Sequence, residues 1–358
     1  MKKLVLAALA IAAMAACTKS NVQYEQPGEI AFQPVAQKAT KATSTSVSYP
    51  TTEKFNVWAW WDDSSANDAP SYTDYEADLY ISEGEFTLKT GTSWGGTDPY
   101  YWPTTGSLVF AGYSPASAKT DPSQFSYDLN TKTFKATNYV QSRALASTTD
   151  LMWFDVTDNS YNNNANKNSQ DKDVKGVPVV FKHALSWLTF QFKLKDANVP
   201  EKWEITNVML TGIEDKATFT AVKNAPPSWT TPEYSLNGKD KDKFTVFKGS
   251  HTVTKDAAVL EGINTGSTGS IDAGSVIVIP QLCGHTTDAA LVITYNLTGT
   301  PGYVLEDQTV TLPLNVNGGE WLLGTHYIYT VTFGDNEIFI VPEVTAWTPE
   351  NVADIPVQ

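Results

Sequence analysis

The chain has 358 residues, 41% of them hydrophobic, and a formal net charge of −14. That length and apolar content are enough for two domains with real cores. The charge argues against nucleic acid and against adsorption to anionic lipid, since both need clustered Lys or Arg.

Residues 1–16 read as an export signal. Lys2 and Lys3 form a basic head, and the apolar run after them is too short to stay in a bilayer as a spanning helix. It ends in Met14-Ala15-Ala16-Cys17, which resembles the lipobox of bacterial lipoproteins and would make Cys17 the lipidated N-terminus. The alternative is an ordinary signal peptide with an incidental Cys17. The one other cysteine, Cys283, then has no intrachain partner and reads as a small buried hydrophobe. Residues 17–50 read as a propeptide: a short strand bearing Ile30, Phe32 and Val35, then an Ala/Thr/Ser-rich tether with Lys38 and Lys41.

Strand signals follow at short spacing. Lys54 to Trp61 alternates Phe55, Val57 and Ala59 with Trp58 and Trp60; Phe86 and Leu88 are in step in a hairpin arm; Leu108 to Tyr113 is a strand that Pro115 stops. Asp155 to Gly176 is polar and Asn-rich, a long hairpin loop whose carboxylates are not spaced as a calcium loop. Val177 to Phe181 and the alternation Leu188, Phe190, Phe192, Leu194 open the second half, and further strands run to Phe333. Val, Ile, Thr, Tyr, Phe and Trp dominate these runs. The expected fold is all-β, of sandwiches or barrels, with domains at 51–180 and 181–337. Ile338 to Val341, four apolar residues in a row, predict a strand covered on both faces. The closing segment 338–358 keeps Val352, Ile355 and Val357 near its end, which suggests that it docks.

Catalytic chemistry finds little support. The four histidines share no metal-ligand spacing, and no nucleophile elbow, P-loop or dinucleotide motif occurs. Asp62 with Asp63, or Glu214 with Asp215, could in principle be a glycosidase pair. Trp58, Trp60 and Trp61 could form a sugar-stacking platform or simply pack a core. No catalytic residue, metal or cofactor is expected.

Several stretches come in a telling order: the lipobox, "YYWPTTGSLVFAGYSP", "TDLMWF", "VPVVFKHALSWLTFQF", "VIVIPQ", "ALVITY" and "GGEWLLGTHYIYTVTF". Together they resemble the fimbrillin family, the lipoprotein-derived type V pilins of Gram-negative anaerobes, from about Cys17 to the C-terminus. The resemblance implies two transthyretin-like β-sandwich domains in tandem and a structural pilus subunit, of the stalk, and not an enzyme. It implies export to the outer membrane as a lipoprotein, with the strand of Ile30, Phe32 and Val35 plugging a groove of the N-terminal domain. A trypsin-like surface protease would cut the tether, and the emptied groove would accept the C-terminal segment of another copy or a related subunit in a surface fimbrium. The donor residues would be among Ile338, Ile340, Val344, Ile355 and Val357. Because the one arginine, Arg143, lies well inside the first domain, the cut would fall at Lys38 or Lys41, the alternatives being a different protease or no cut at all. The membrane would be touched only through the N-terminal lipid, and an adhesion receptor is a further possible partner. The alternatives are a tip or anchor subunit of the same pilus, or an anchored glycan-binding lipoprotein using the tryptophans.

Overall fold

The computed structural model describes residues 28–38, 45–62, 78–91, 93–143, 148–157, 161, 176–196, 200–235, 243–259, 274–283, 289–299, 302–316, 318–334 and 338–346. Among these the protein is nearly all strand, with one 3-10 turn at Ala116–Ala118 and no α-helix. Four sheets carry the structure.

The first sheet holds β1 (Ala31–Lys38), β2 (Thr45–Ser48), β3 (Phe55–Asp62), β4 (Asp78–Thr90), β5 (Ser93–Gly96), β6 (Ser107–Ser114), β9 (Met152–Asp155) and β10 (Val177–His183). Its order is β10-β9-β6-β3-β4-β5-β1-β2, and β1 also pairs with β10. That extra pairing closes seven strands into a ring, with β1 as the closing stave. The alternation along β3 has two buried destinations. Phe55, Val57 and Ala59 point into the ring with Phe86, Leu108, Phe110 and Phe154, while Trp58 and Trp60 point outward into a second core.

A second sheet, ordered β14-β13-β8-β7, covers that outer face. It consists of β7 (Phe125–Asp128), β8 (Thr133–Val140), β13 (Lys216–Val222) and β14 (Ser228–Trp229). Phe125, Phe134, Ala136, Tyr139, Phe219 and Ala221 meet Trp58, Trp60, Val109, Ala111 and Tyr113 there, a sheet-on-sheet sandwich. β13 and β14 come from the second half of the chain, yet β13 pairs with β8 from the first and β14 pairs with β13. The two halves are therefore interlocked by a hairpin whose crossing no local sequence pattern announces.

The third sheet is β11 (Ser186–Leu194), β16 (Ala258–Val259), β17 (Ser275–Val278), β20 (Thr325–Phe333) and β21 (Ile338–Ala346), in the order β16-β11-β20-β21 with β17 on β11. The fourth is β12 (Lys202–Thr211), β15 (Phe244–Thr252), β18 (Ala290–Thr298) and β19 (Val304–Pro313), in the order β15-β12-β18-β19. They enclose one core, in which Leu188, Phe190 and Val331 of the third sheet meet Ile205, Val208 and Ile293 of the fourth. Cys283 is buried in it as a free thiol, and burial pushes its pKa up to about 11. The strand at Ile338 to Val341 departs from expectation. Among the described residues β21 is an edge strand paired only with β20; Ile338 and Ile340 pack partly on the core while Val341 is 54% exposed.

Candidate functional site

The segment from Gly28 to Lys38 is the least ordinary part of the fold, because it completes a sheet from outside the run of strands that it joins. Trp102 donates its amide hydrogen to the Gly28 carbonyl (3.0 Å), and Ile30 donates to the Tyr100 carbonyl (2.7 Å). Ala31 and Phe32 then pair antiparallel with Gly95 and Trp94 of β5. On the other side Phe32 to Ala36 run parallel to Val177 to Phe181 of β10. Gly176 leads into that pairing; a Cβ there would lie 2.7 Å from the Ala31 main chain, so only glycine lets the two backbones approach.

Period-two alternation decides which side chains fill the ring. Ile30, Phe32, Pro34 and Ala36 are buried, and Ala31, Gln33 and Val35 are half-buried. Val35, expected beside Ile30 and Phe32, is thus out of step with them, and Pro34 and Ala36 hold the inward places. Phe32 is the central knob. Its ring meets Phe86 at 4.8 Å, Phe110 at 5.1 Å and Phe55 at 5.8 Å, all edge to face. Tyr49 lines the same interior, edge-on to Trp94 at 4.9 Å, with its hydroxyl 2.5 Å from Ser114 Oγ. Burial pushes the Tyr49 phenol far above its ordinary range, which keeps it a neutral hydrogen-bonding group. Sequence reading gave no role to Tyr49, Trp94 or Trp102, and it found Val177 to Phe181 as a strand but not as the partner of β1. The alternation through Pro34 and Ala36 was visible, but the pairing with β10, some 145 positions away, was not.

The end of β1 is tied back to β2, with Val35 opposite Ser48 and Lys38 opposite Thr45. Lys38 therefore sits inside a ladder, while Lys41 and Cys17 lie outside the described residues. At the other end of the chain, β21 pairs with β20 from Ile338 opposite Phe333 to Ala346 opposite Thr325. Ile338 and Ile340 are half-buried, Val344 is 55% exposed, and Ile355 and Val357 lie outside the described residues.

The other sites weighed on sequence take different shapes. Trp58 and Trp60 are 6% and 7% exposed inside the second core, and the Trp61 indole donates to the Thr105 carbonyl (2.9 Å). The large apolar rings are taken up by the covering sheet, so the tryptophans present no stacking platform. Asp215 is 1% exposed and bound by Arg143 Nε (2.6 Å) and by the Ser235 amide and hydroxyl (both 2.7 Å), which leaves no free acid for a glycosidase pair with Glu214. The Asp62 side chain and Asp63 lie outside what is described. His183 Nδ1 is 2.8 Å from Asp150 Oδ2, a bond that ties β10 to the residues just before β9.

A family model described as fimbrillin-like matches residues 40–347. No curated protein sequence matches. Among solved structures, a fimbrial protein from Bacteroides vulgatus is similar over 89% of this chain and 99% of its own, with 17% identity and a TM-score of 0.52. A putative cell adhesion protein from Bacteroides uniformis covers the same shares at 16% identity and a TM-score of 0.49. The tip fimbrial protein Mfa3 from Porphyromonas gingivalis, with a C-terminal truncation, is matched over 89% of this chain and 100% of its own at 12% identity and a TM-score of 0.30.

Proposed function

The chain belongs to the fimbrillin-like family, whose members are structural rather than catalytic, and from that premise we propose that it is a stalk subunit of a fimbrium, polymerised by strand exchange. In this reading the precursor is exported through residues 1–16, lipidated on Cys17 and carried to the outer membrane. A trypsin-like protease then cuts the tether, the segment bearing Ile30 and Phe32 leaves, and a neighbouring subunit's C-terminal segment takes its place in a surface fimbrium.

The observation that carries the reading is the position of β1 in the ring. Once the chain is cut between β1 and β2, nothing covalent holds residues 28–38 to the domain. Their hold is the two ladders and the buried side chains, of which Ile30 and Phe32 contribute about 1.5–3 kcal/mol each. Their departure opens an edge on β5 and another on β10 and uncovers an aromatic interior. Such a groove is a template for an incoming strand. A contact between one end of a subunit and the other end of the next does not close on itself, so it propagates as a filament.

The test uses soluble protein lacking residues 1–17, treated with a limiting amount of a lysine-cutting protease and run unboiled on a denaturing gel. A heat-labile ladder of multimers appearing after loss of the N-terminal strand is the expected result. A trimmed product that stays monomeric would instead assign the chain to a tip or anchor position.

A further inference from the structure

Resting on that reading, we infer that the incoming strand is β21 itself, entering in the same direction as β1 and in one defined register, with Ile338 in the place of Ile30. The two strands carry the same pattern. The first runs Glu29-Ile30-Ala31-Phe32-Gln33-Pro34, and the second Glu337-Ile338-Phe339-Ile340-Val341-Pro342. Superposing them puts Ile340 on Phe32, Pro342 on Pro34 and Val344 on Ala36, which are the inward places of the ring.

Three observations favour this register over its neighbours. First, the phase already agrees, since Ile338 and Ile340 share the face of β21 that packs on the core, and Pro342 and Val344 continue it by alternation. Second, the exchange improves burial. At home β21 is an edge strand, with Ile338 and Ile340 half-buried and Val344 55% exposed. The places they would take belong to Ile30, Phe32 and Ala36, which are 0%, 0% and 1% exposed. Ile340 is smaller than Phe32 and Val344 larger than Ala36, a compensation of volume that cores tolerate. Third, the prolines coincide. A proline offers no amide hydrogen, so the ladder opposite Val179 is built around a missing donor at Pro34, and Pro342 preserves that gap.

The tail beyond β21 offers no equal match. Aligning Pro356 with Pro34 would put Asp354 where Phe32 sits, a carboxylate among Phe55, Phe86 and Phe110. In the opposite phase only Ile355 and Val357 bring bulk.

Cross-linking reads the register directly. In the parallel ladder Val35 lies opposite Val180, whose side chain is 44% exposed on the outer face of β10. The inferred register brings Glu343, also exposed, to the place of Val35. One soluble chain carrying Val180→Cys is mixed with a differently tagged chain carrying Glu343→Cys, and both are trimmed and oxidised. Parallel neighbours of this kind fall within disulfide range. A disulfide between the two tags is expected for Glu343→Cys, and only background for Val341→Cys or Thr345→Cys in its place. If multimers form but the disulfide follows Val341→Cys, Thr345→Cys or, for the tail register, Val357→Cys, the register is wrong while strand exchange stands. If no variant forms multimers, both this inference and the reading beneath it fall.

Discussion

Phe32 and His326 show how single side chains can set the strength of an element. Phe32 closes a cluster of edge-to-face rings at 0% exposure, so Phe32→Ala leaves a cavity that the neighbouring strands cannot collapse. The expected loss is about 3–5 kcal/mol, read by denaturant unfolding of the uncut protein, together with faster release of the N-terminal strand after cutting. An unchanged midpoint would mean that the ring does not depend on its knob. His326 acts on β21. Its ring stacks on Trp187 (3.8 Å, 7°), its Nε2 lies 2.8 Å from Thr189 Oγ1, and its Nδ1 lies 3.2 Å from Thr345 Oγ1 of β21. Burial lowers its pKa from 6.5 to about 4. Between those values the unfolded chain binds a proton that the folded chain refuses. Stability is therefore full above pH about 6.5 and falls as the pH drops towards 4, by at most about 1.4 kcal/mol per unit. His326→Phe should flatten that part of the pH profile, whatever it does to stability at neutral pH; unfolding titrations of both proteins between pH 7 and pH 4 give the comparison.

At the scale of elements, β1 and β2 bear on where the proposed cut would fall. A protease takes its substrate as an unpaired extended strand, and Lys38 is paired with Thr45 inside the hairpin ladder. Lys41, the other lysine of the tether, lies in the link between the two strands. Limiting proteolysis of Lys41→Ala should therefore be slowed at least tenfold, while Lys38→Ala should be cut at nearly the original rate; mass spectrometry of the released fragment identifies the bond. Equal slowing by the two substitutions would show that the ladder opens before cutting. How β1 could be read from sequence depended on distance. Ile30 and Phe32 stood out because two large apolar residues at a spacing of two mark one face of a strand. Val35 was grouped with them on hydrophobicity alone, against the phase that they set. The partners of β1, namely β2, β5 and β10, supply main-chain groups, and a ladder leaves almost no mark on which side chains occupy it. β21 was legible as a strand but not as an edge, since four apolar residues in a row fit a buried strand equally well. Only the topology shows that, among the described residues, nothing pairs beyond it.

For the whole molecule, the all-β character and the alternating cores could be read from sequence because hydrophobic period and turn residues are local. The interlocking of the halves could not. β13 joins β8 across the chain and carries β14 with it, and a buried ion pair helps to fasten the crossing. Arg143, the one arginine in the chain, donates from Nε to Asp215 at 2.6 Å, with side chains 12% and 1% exposed. Asp215 sits between β12 and β13, its carbonyl accepts from the Gln141 amide (2.8 Å), and the Arg143 guanidinium lies 5.3 Å from the centre of the Phe244 ring on β15. One arginine thus joins the end of β8 to a crossing loop and to the fourth sheet. Arg143→Ala leaves the Asp215 carboxylate buried without its cation, a loss of about 3–5 kcal/mol. Because the pair fastens strands of both halves, this loss should move the unfolding of the entire chain as one transition, seen alike by tryptophan fluorescence and by circular dichroism. Asp215→Asn, which keeps an acceptor for the Ser235 hydrogens, should lose less. Two separate transitions, with only one displaced by Arg143→Ala, would show that the halves unfold independently despite the shared sheet. In the proposed filament a subunit pulled from both ends has reason to avoid that, since a half that opens alone would release its neighbour's strand.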